Sequence, residues 1–360
     1  MQKETGILDT LSNDVEKADF WHTMKREYRE LHEFYIDSDR KKRLLSMGRF
    51  KRVMYIAAWI LQGMFYKLTP ARRLLIVAGI LLSINGITFK FASWLVGDRG
   101  LLGALLLFFV LMLELKDKLL AHDELDAGRT IQRALLPPEQ PNIPGWSVWL
   151  FTRPAREVGG DLVDIIDHDS KTMSILMADV SGKGLRAALW TAKLQATIRA
   201  LITMITDPLD LVDRVNKIFH RDSLRSVFAS MVLLRVNKSS GQIQYVNAGH
   251  LPPVLCNRDG KTECGRGQLA IGLSPSSKYV LNELTMAIGD VLVSFSDGVT
   301  EAANENGEFY GNDKPLQIAE RLRNTDAPVI GKAILLDLER FVGEFSASDD
   351  ISIIILKRHS

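Results

Sequence analysis

Apolar residues are distributed differently in the two parts of this chain. Two long apolar stretches, residues 74–96 and 101–115, lie in the amino-terminal part and are separated by a turn composition at residues 97–100. Beyond residue 145 the apolar runs become short and are bounded by Gly, Asn and Asp, which is typical of strands joined by turns. The pattern therefore predicts a helical amino-terminal region followed by a domain rich in strands.

The two apolar stretches predict a helical hairpin. We expect a transmembrane hairpin over residues 73–116, since no third apolar segment is large enough to cover both helices. A buried helical pair in a soluble sensor domain is the alternative. The preceding run, residues 53–66, is too short to span a bilayer and predicts an interfacial or amphipathic helix.

The charge pattern predicts the orientation of this hairpin. Nearly every charged residue between Asp37 and Arg73 is Lys or Arg, and such residues flank the cytoplasmic ends of membrane helices. We therefore expect residues 1–72 to form a polar, helical region in the cytoplasm. A hairpin returns the chain to the same side, so the residues after Leu115 are expected there too. No cleavable signal peptide is visible in the first 30 residues.

A charged helix is predicted to connect the hairpin to the domain that follows, within a linker region of residues 117–144. Residues 114–136 carry one apolar stripe, and prolines at positions 137, 138, 141 and 144 end the helix. Two interpretations remain open. The helix is either a stalk that transmits a signal and holds a homodimer together, or a first helix that packs on the domain.

The carboxy-terminal domain, residues 145–358, is predicted to be α+β. Its strands come in hairpin-like groups and its helices are inserted as blocks, which favours antiparallel sheets. The predicted strands cover residues 146–152, 172–178, 230–236, 243–247, 253–256, 291–296 and 351–356. The predicted helices cover residues 184–206, 208–220 after an Asp207 cap, 314–323 and 328–345.

Composition and charge narrow the classes of function. A net charge of +2 gives no reason to expect a nucleic-acid partner. The two cysteines, Cys256 and Cys264, form no partner pattern, which argues against a disulfide framework or a zinc site and fits a reducing compartment. No glycine-rich loop of the nucleotide-binding kind is present, so the use of ATP is not indicated.

Four acidic patches carry the candidate chemistry, and we expect each at the end of a predicted strand. They lie at residues 158–164, 178–184, 294–301 and 348–352. Asp179 and Asp297 each follow an apolar strand and precede a glycine-bearing turn. Carboxylates that converge at a sheet edge repel one another unless a cation neutralises them. Oxygen ligands without nearby His or Cys indicate Mg²⁺ or Mn²⁺ rather than zinc.

Longer motifs around these patches carry a family resemblance. The chain resembles the SpoIIE-type branch of the PPM (2C-type) metal-dependent protein phosphatases through about two-thirds of its length. The motifs, in family order, are ELDAGRTIQRALLPPE, REVGGDLVDI, ADVSGKGLRAAL, FASMVLLRV, YVNAGHLPP, LAIGLSP, GDVLVSFSDGVTEAANENGEFYG and SDDISIIIL. The resemblance implies a PPM-phosphatase-like β-sandwich of two antiparallel sheets flanked by helices, with a metal pair in a cleft at one end.

The resemblance also implies roles for individual residues. Asp179 would bridge two divalent cations, Mn²⁺ or Mg²⁺, and the backbone carbonyl of Val180 would add a ligand. Asp297 and Asp349 would complete the site, while Asp161 would act directly or through a metal-bound water. The cations would activate a water for attack on the phosphoryl group, so no covalent intermediate is required. Asp350 is a less certain ligand, because some branches of the family carry Asn there.

Two departures from the family pattern affect the predicted chemistry. Leu162 and Val163 follow the GGD motif where relatives often have aromatic residues, so the floor of the groove is expected to differ. Lys183 stands where many relatives have His, which leaves the proton donor to the leaving oxygen unassigned. His250 is the remaining candidate, although a His packed against proline is more often structural.

Two further residues near the predicted metals need no catalytic role. Ser181 is expected to shape its glycine-rich turn rather than act as a nucleophile. Arg156 could attract phosphate, although a solvated position at a strand edge is the simpler interpretation.

The leading hypothesis is therefore a membrane-tethered serine/threonine protein phosphatase. By resemblance, its substrate would be a phosphorylated STAS-type anti-sigma-factor antagonist in a bacterium. The hairpin and its flanking charges would place the protein at the inner (cytoplasmic) membrane with the phosphatase domain in the cytoplasm. Since no ligand-sensing domain is recognisable, a membrane regulator would supply the signal. A catalytically silent module that binds a partner through the same fold is the alternative. A nucleotidyl cyclase is disfavoured, since the SDG and SDD motifs would remain unexplained.

Overall fold

The protein is described by a computed structural model that covers residue 44 and residues 47–88, 99–343 and 349–359. It forms two compact units, residues 1–120 and 121–360. Most of the predicted cytoplasmic region 1–72 and half of the predicted turn at residues 97–100 lie outside the described residues.

The amino-terminal unit contains α1 (Arg49–Lys67), α2 (Pro70–Thr88) and the first part of α3 (Arg99–Leu135). Helices α2 and α3 pack closely because Gly103 faces Gly79. A Cβ atom on Gly103 would lie 2.6 Å from the Gly79 carbonyl oxygen, so only glycine permits this approach. The Arg72 guanidinium joins the same two helices through ion pairs of 2.6 Å to Glu114 and to Asp117. The predicted pairing of two apolar helices is thus confirmed.

The predicted transmembrane character of residues 73–116 is not supported. Within the described ranges, no helix is long and apolar enough to cross a membrane. The physical reason in α3 is that its apolar run ends at Glu114. The helix then continues with the charged residues Lys116, Asp117 and Lys118. The predicted linker helix is likewise not a separate element, since α3 is continuous from Arg99 to Leu135.

The carboxy-terminal unit contains ten described strands and five described helices beyond α3. The strands are β1 (Trp146–Arg153), β2 (Asp161–Asp167), β3 (Thr172–Val180), β4 (Ala229–Asn237), β5 (Gln242–Ala248), β6 (Val254–Asn257), β7 (Gly260–Glu263), β8 (Asn282–Thr285), β9 (Val291–Phe295) and β10 (Ile351–Arg358). The helices are α4 (Leu185–Leu201), α5 (Pro208–Asp222), α6 (Asp297–Thr300), α7 (Asp313–Arg321) and α8 (Ala327–Val342). As predicted, Asp207 caps α5, accepting hydrogen bonds from the backbone N–H groups of Leu209 and Asp210.

Two five-stranded antiparallel sheets make up this unit, as the sequence predicts for an α+β domain. Their strand orders are β1-β10-β9-β6-β7 and β2-β3-β4-β5-β8. One apolar core, which includes Ile175 and Leu292, lies between the sheets. Helices α7 and α8 cover the outer face of the first sheet, and α4 and α5 cover the second. Because both faces of β9 are covered, every one of its residues is buried.

The structure contains three strands that the sequence pattern did not predict. Strand β2 carries Asp164, whose carboxylate is fully buried and accepts hydrogen bonds from Arg199 and Gln195, so a charged residue interrupts the apolar pattern. Strands β7 and β8 are short and polar and lie at the sheet edges. Their pairing is set by neighbouring strands rather than by apolar periodicity.

Candidate functional site

The four acidic patches lie where strands begin or end. Asp179 is the next-to-last residue of β3 and pairs with Asp161, the first residue of the neighbouring strand β2. Asp297 is the first residue of α6, separated by one residue from the end of β9, and Asp349 lies just before β10. The expectation that each patch lies at the end of a strand is therefore right for Asp179 and Asp297 and wrong for Asp161, which begins β2, and for Asp349, which lies before β10.

A hydrogen bond between the sheets brings these strand ends together. The Ser352 hydroxyl of β10 lies 2.6 Å from Asp161 Oδ2 of β2 and donates to it. Both groups are buried. The bond joins the first residue of β2 in one sheet to the second residue of β10 in the other sheet. The acidic residues of both sheets therefore meet at one end of the sandwich. Nothing in the local sequence singled out Ser352 beyond its position beside the SDD motif.

The turn after β3 depends on two glycines. Gly182 and Gly184 have φ angles of 109° and 68°, a region that residues with a Cβ atom rarely adopt. The Ser181 hydroxyl accepts a hydrogen bond from the Phe228 N–H at 3.0 Å, and the Ser181 N–H donates to the Phe228 carbonyl at 2.9 Å. These bonds agree with the predicted role of Ser181 in shaping the turn.

The GGD segment approaches this turn closely. A Cβ atom on Gly160 would lie 2.8 Å from the backbone carbonyl oxygen of Val180, so glycine permits the contact. The Val180 carbonyl, which the family resemblance assigns as a ligand, therefore lies beside the segment that carries Asp161. The Gly160 carbonyl also accepts from the Val180 N–H at 3.2 Å.

Asp350 holds the GGD segment in place through its carboxylate. Its Oδ1 accepts from the Ala155 N–H at 2.7 Å, and its Oδ2 accepts from the Gly160 N–H at 2.6 Å and the Asp161 N–H at 3.3 Å. A carboxylate that accepts three backbone hydrogen bonds has little remaining capacity for a metal. The structure thus places Asp350 as a residue that positions Asp161, a role that the sequence did not reveal.

Gln132 of helix α3 also binds the GGD segment. The Gln132 side chain donates from Nε2 to the Gly159 carbonyl at 2.8 Å, and its Oε1 accepts from the Gly159 N–H at 3.1 Å. Gln132 lies 27 residues before Gly159, so no local pattern connects the two. Of the two interpretations of the helix at residues 114–136, its carboxy-terminal end supports packing on the domain.

Burial and mutual repulsion raise the pKa values of the acidic residues. Burial and then the charges of Asp297, Asp349 and Asp350 raise the pKa of Asp179 from 3.8 to about 7. Burial and the Asp349 charge raise the pKa of Asp297. Burial, followed by the Asp179 charge, raises the pKa of Asp161 well above its ordinary value. These shifts show that the residues are close enough to repel one another.

The oxygen-only donor set fits a hard divalent cation, whose charge would offset this repulsion. As placed, however, no group of three His, Cys, Asp or Glu side chains within the described part of the chain is arranged to hold one ion. Asp349 instead forms an ion pair with Lys183 at 3.0 Å, and Asp161 is engaged by Ser352. The assignment of Asp161, Asp179, Val180, Asp297 and Asp349 as ligands therefore stays a prediction.

His250 is enclosed rather than available for proton transfer. Its Nδ1 lies 2.9 Å from the Ser230 hydroxyl, and its buried Nε2 contacts no hydrogen-bond partner among the described residues. Burial lowers the pKa of His250 to about 4. The surroundings of this residue thus favour the structural interpretation over the role of proton donor.

Arg156 lies in a small hollow that Lys183 and Asp349 also line.

Removing the Asp350 carboxylate is expected to destabilise the domain. Asp350→Ala would leave three backbone N–H groups without their acceptor, at a cost of about 2–4 kcal/mol. Asp350→Asn keeps one acceptor oxygen and should cost less. Urea unfolding measures both free energies, and Asp259→Ala in the exposed turn between β6 and β7 is the control. Equal stability of Asp350→Ala and the control would show that the three hydrogen bonds do not hold the segment.

The raised pKa values predict an unusual pH dependence of stability in metal-free protein. Between about pH 4 and 7, folded Asp179, with its pKa raised from 3.8 to about 7, holds a proton that the unfolded chain releases. For this residue the folded state then binds more protons, so the contribution of Asp179 to stability falls as pH rises through this range. Burial lowers the pKa of His250 to about 4, and this residue acts in the opposite direction over much of the same range. The effect of Asp179 is therefore measured as a difference: from pH 4 to 7, the thermal unfolding midpoint of metal-free protein should fall relative to that of Asp179→Asn. A midpoint that rises relative to that of the variant would contradict the shift.

Comparison with known proteins identifies relatives of this chain in bacteria. Phosphoserine phosphatase RsbU of Bacillus subtilis is 26% identical over 239 residues, which is 65% of this chain and 70% of RsbU. Protein IcfG of Synechocystis is 26% identical over 272 residues, 66% of this chain and 42% of IcfG. Phosphoserine phosphatase RsbP of Bacillus subtilis is 26% identical over 151 residues, 40% of this chain and 37% of RsbP. The chain thus spans less than half of IcfG and RsbP.

Solved structures share the fold of the carboxy-terminal unit. The PP2C domain of SiaA from Pseudomonas aeruginosa superposes with a TM-score of 0.60 and 22% identity, covering 67% of this chain and 98% of that domain. The RsbU and RsbW domains of a Mycobacterium tuberculosis protein give a TM-score of 0.55 and 22% identity, covering 61% of each chain. These similarities establish a PP2C-like fold.

The sequence itself matches one family over just over half of its length. The sequence model of the Stage II sporulation protein E (SpoIIE) family matches residues 169–359. This range includes Asp179, Asp297, Asp349 and Asp350, and it begins shortly after Asp161. With its PP2C-like fold and this match, the chain belongs to the SpoIIE family.

Proposed function

We propose that this protein is a metal-dependent serine/threonine protein phosphatase. The observation that carries the proposal is the cluster of Asp179, Asp297 and Asp349, whose mutual repulsion calls for cations, at one end of a PP2C-like sandwich. Two relatives, RsbU and RsbP, are named phosphoserine phosphatases. All acidic positions of the family motifs are present, which argues against a catalytically silent module.

The residues of the cluster would hold two divalent cations, Mg²⁺ or Mn²⁺. Asp179, the Val180 carbonyl, Asp297 and Asp349 would supply oxygen ligands, and Asp161 would contribute from its buried position. Such cations lower the pKa of a bound water and offset charge on the phosphoryl oxygens. Arg156 and Lys183, which line the hollow beside Asp349, would bind the phosphoryl group through charge-assisted hydrogen bonds. Ser181 need not act as a nucleophile.

The substrate we propose is a phosphorylated protein of the STAS type, an antagonist of an anti-sigma factor. The similarity to RsbU and membership of the SpoIIE family support a place in bacterial partner switching. A homodimer held by α3 and a regulator in the membrane would complete this system. Although the end of α3 packs on the domain, the side chains of Ile131 and Leu135 stay exposed there, and they support such a dimer contact.

We further propose that the amino-terminal unit associates with the cytoplasmic face of the bacterial inner membrane. Helix α3 exposes large apolar side chains, and contact between such side chains and water is unfavourable. They are Leu101, Leu102, Leu105, Phe108, Phe109 and Leu111. Helix α2 adds Leu74, Val77 and Ile80. Apolar faces of this size mark surfaces that bind lipid or another protein.

The catalytic proposal predicts metal-dependent hydrolysis that Asp179 controls. The full chain should hydrolyse a small aryl phosphate with Mn²⁺ and lose this activity when a chelator is added. Asp179→Asn should lower kcat/KM by about 100-fold or more, since a principal electrostatic group is lost. Asp259→Asn, on an exposed turn, is the matched control. Activity that persists in the chelator would exclude the metal mechanism, and a folded, Mn²⁺-binding but inactive chain would favour the silent module.

The membrane proposal predicts binding to lipid vesicles. The full chain should float with anionic phospholipid vesicles in a density gradient, because α2 and α3 would bury their exposed apolar faces. The double variant Leu105→Glu, Phe108→Glu should remain at the bottom of the gradient. Leu269→Glu, at an exposed apolar residue of the carboxy-terminal unit, should float like the unchanged protein. Equal flotation of the double variant would show that this face of α3 does not bind lipid.

A further inference from the structure

The segment between α5 and β4 lies beside the turn that carries the proposed metal ligands. Phe228 exchanges two hydrogen bonds with Ser181, at 2.9 and 3.0 Å. Arg186, in the first turn of α4, donates to the Ser226 hydroxyl at 3.3 Å. The segment is therefore attached to the turn that follows Asp179, and a protein surface bound there would lie next to the reacting phosphoryl group.

This segment exposes apolar side chains although its backbone is anchored. Leu224 is 55% exposed and Phe228 is 38% exposed, whereas Val227 between them is 3% exposed and belongs to the core under α4 and α5. Val227 is anchored in this core, and the exposed side chains lie on either side of it, Phe228 directly after it and Leu224 three residues before it. Rigid apolar side chains of this kind are typical of protein contact surfaces.

The charges around these apolar residues are mainly positive. Arg186 and Arg225 are exposed, and Lys183, which pairs with Asp349, lies in the turn before α4. The nearest acid in sequence, Asp222 at the end of α5, is already paired with Arg221 at 2.7 Å and with Lys193 at 2.9 Å. Its charge is therefore offset locally, while Arg225 takes part in no ion pair within the described residues.

We propose that Arg186, Leu224, Arg225 and Phe228 form a docking rim for the phosphoprotein substrate. The rim selects substrates in which acidic and apolar residues flank the phosphorylated side chain. Charge complementarity carries this choice, because two arginines beside an apolar surface attract carboxylates and repel lysines. The inference rests on the proposed phosphatase activity and adds the class of sequence that surrounds the phosphate.

The test compares phosphoserine peptides that differ only in the flanking residues. One peptide has Glu and Leu on both sides of phosphoserine, the second has Lys in place of Glu, and the third has Ser in place of Leu. With Mn²⁺ and the full chain, kcat/KM should be about tenfold higher for the Glu peptide than for the Lys peptide, as expected for two partly exposed ion pairs. The Ser peptide should fall between them.

Charge reversal in the rim should invert this preference. The double variant Arg186→Glu, Arg225→Glu should prefer the Lys peptide, whereas Arg258→Glu, on the exposed turn between β6 and β7, should keep the original ratio. Since each variant is judged by a ratio of two peptides, a general loss of activity does not affect the result. The double variant Leu224→Ser, Phe228→Ser should lose the preference for the first peptide, which carries Glu and Leu, over the third peptide, in which Ser replaces Leu.

The outcomes separate the rim from the activity on which it depends. Hydrolysis of aryl phosphate with Mn²⁺ but equal kcat/KM for all three peptides would overturn the rim and leave the phosphatase intact. Retention of the Glu preference in the double variant, or its loss in Arg258→Glu, would also overturn the rim. Absence of any Mn²⁺-dependent hydrolysis by the unchanged chain would overturn both proposals.

Discussion

Repulsion among carboxylates at one end of the sandwich is the constraint on which the site depends. Asp179 is crowded by Asp297 and Asp349, and burial adds to the cost of each negative charge. A fold that served only stability would place apolar or neutral residues there, because uncompensated carboxylates destabilise it. Their retention at strand ends is the physical argument for cations and, through them, for chemistry on a phosphoryl group.

The rest of the fold supplies the attachments that keep these charges together. Ser352 joins the two sheets through Asp161, and Asp350 binds three backbone N–H groups of the segment that leads into β2. Gly298 adds a close backbone contact, because a Cβ atom at this position would clash with the Asp350 carbonyl oxygen. Acidic residues from three segments are therefore held at one end of the sandwich, where Asp349 pairs with Lys183 and Asp161 accepts from Ser352.

The end of α3 is part of this framework. Gln132 forms two hydrogen bonds with the Gly159 backbone, and the Leu135 carbonyl accepts from Gln195, which also donates to Asp164. Asp164 is completed by two hydrogen bonds from Arg199. A chain of hydrogen bonds thus runs from the last turn of α3 to β2, so the position of this helix end and the position of Asp161 depend on one another.

The sequence by itself determined the fold class, the positions of most strands and helices, the acidic motifs and the family. Apolar periodicity and turn residues are local signals, and Asp207 before α5 or glycine at 182 and 184 can be recognised without a neighbour. Only the tertiary structure decided the roles of Asp350, Ser352 and Gln132, since each acts through a partner at least 27 residues away. The tertiary structure also decided that His250 is buried. It formed β2 as well, in which the charge of the buried Asp164 is offset by Arg199 from α4. Hydrogen bonds between distant segments leave no periodic trace in the chain, and this is why they had to be read from the fold.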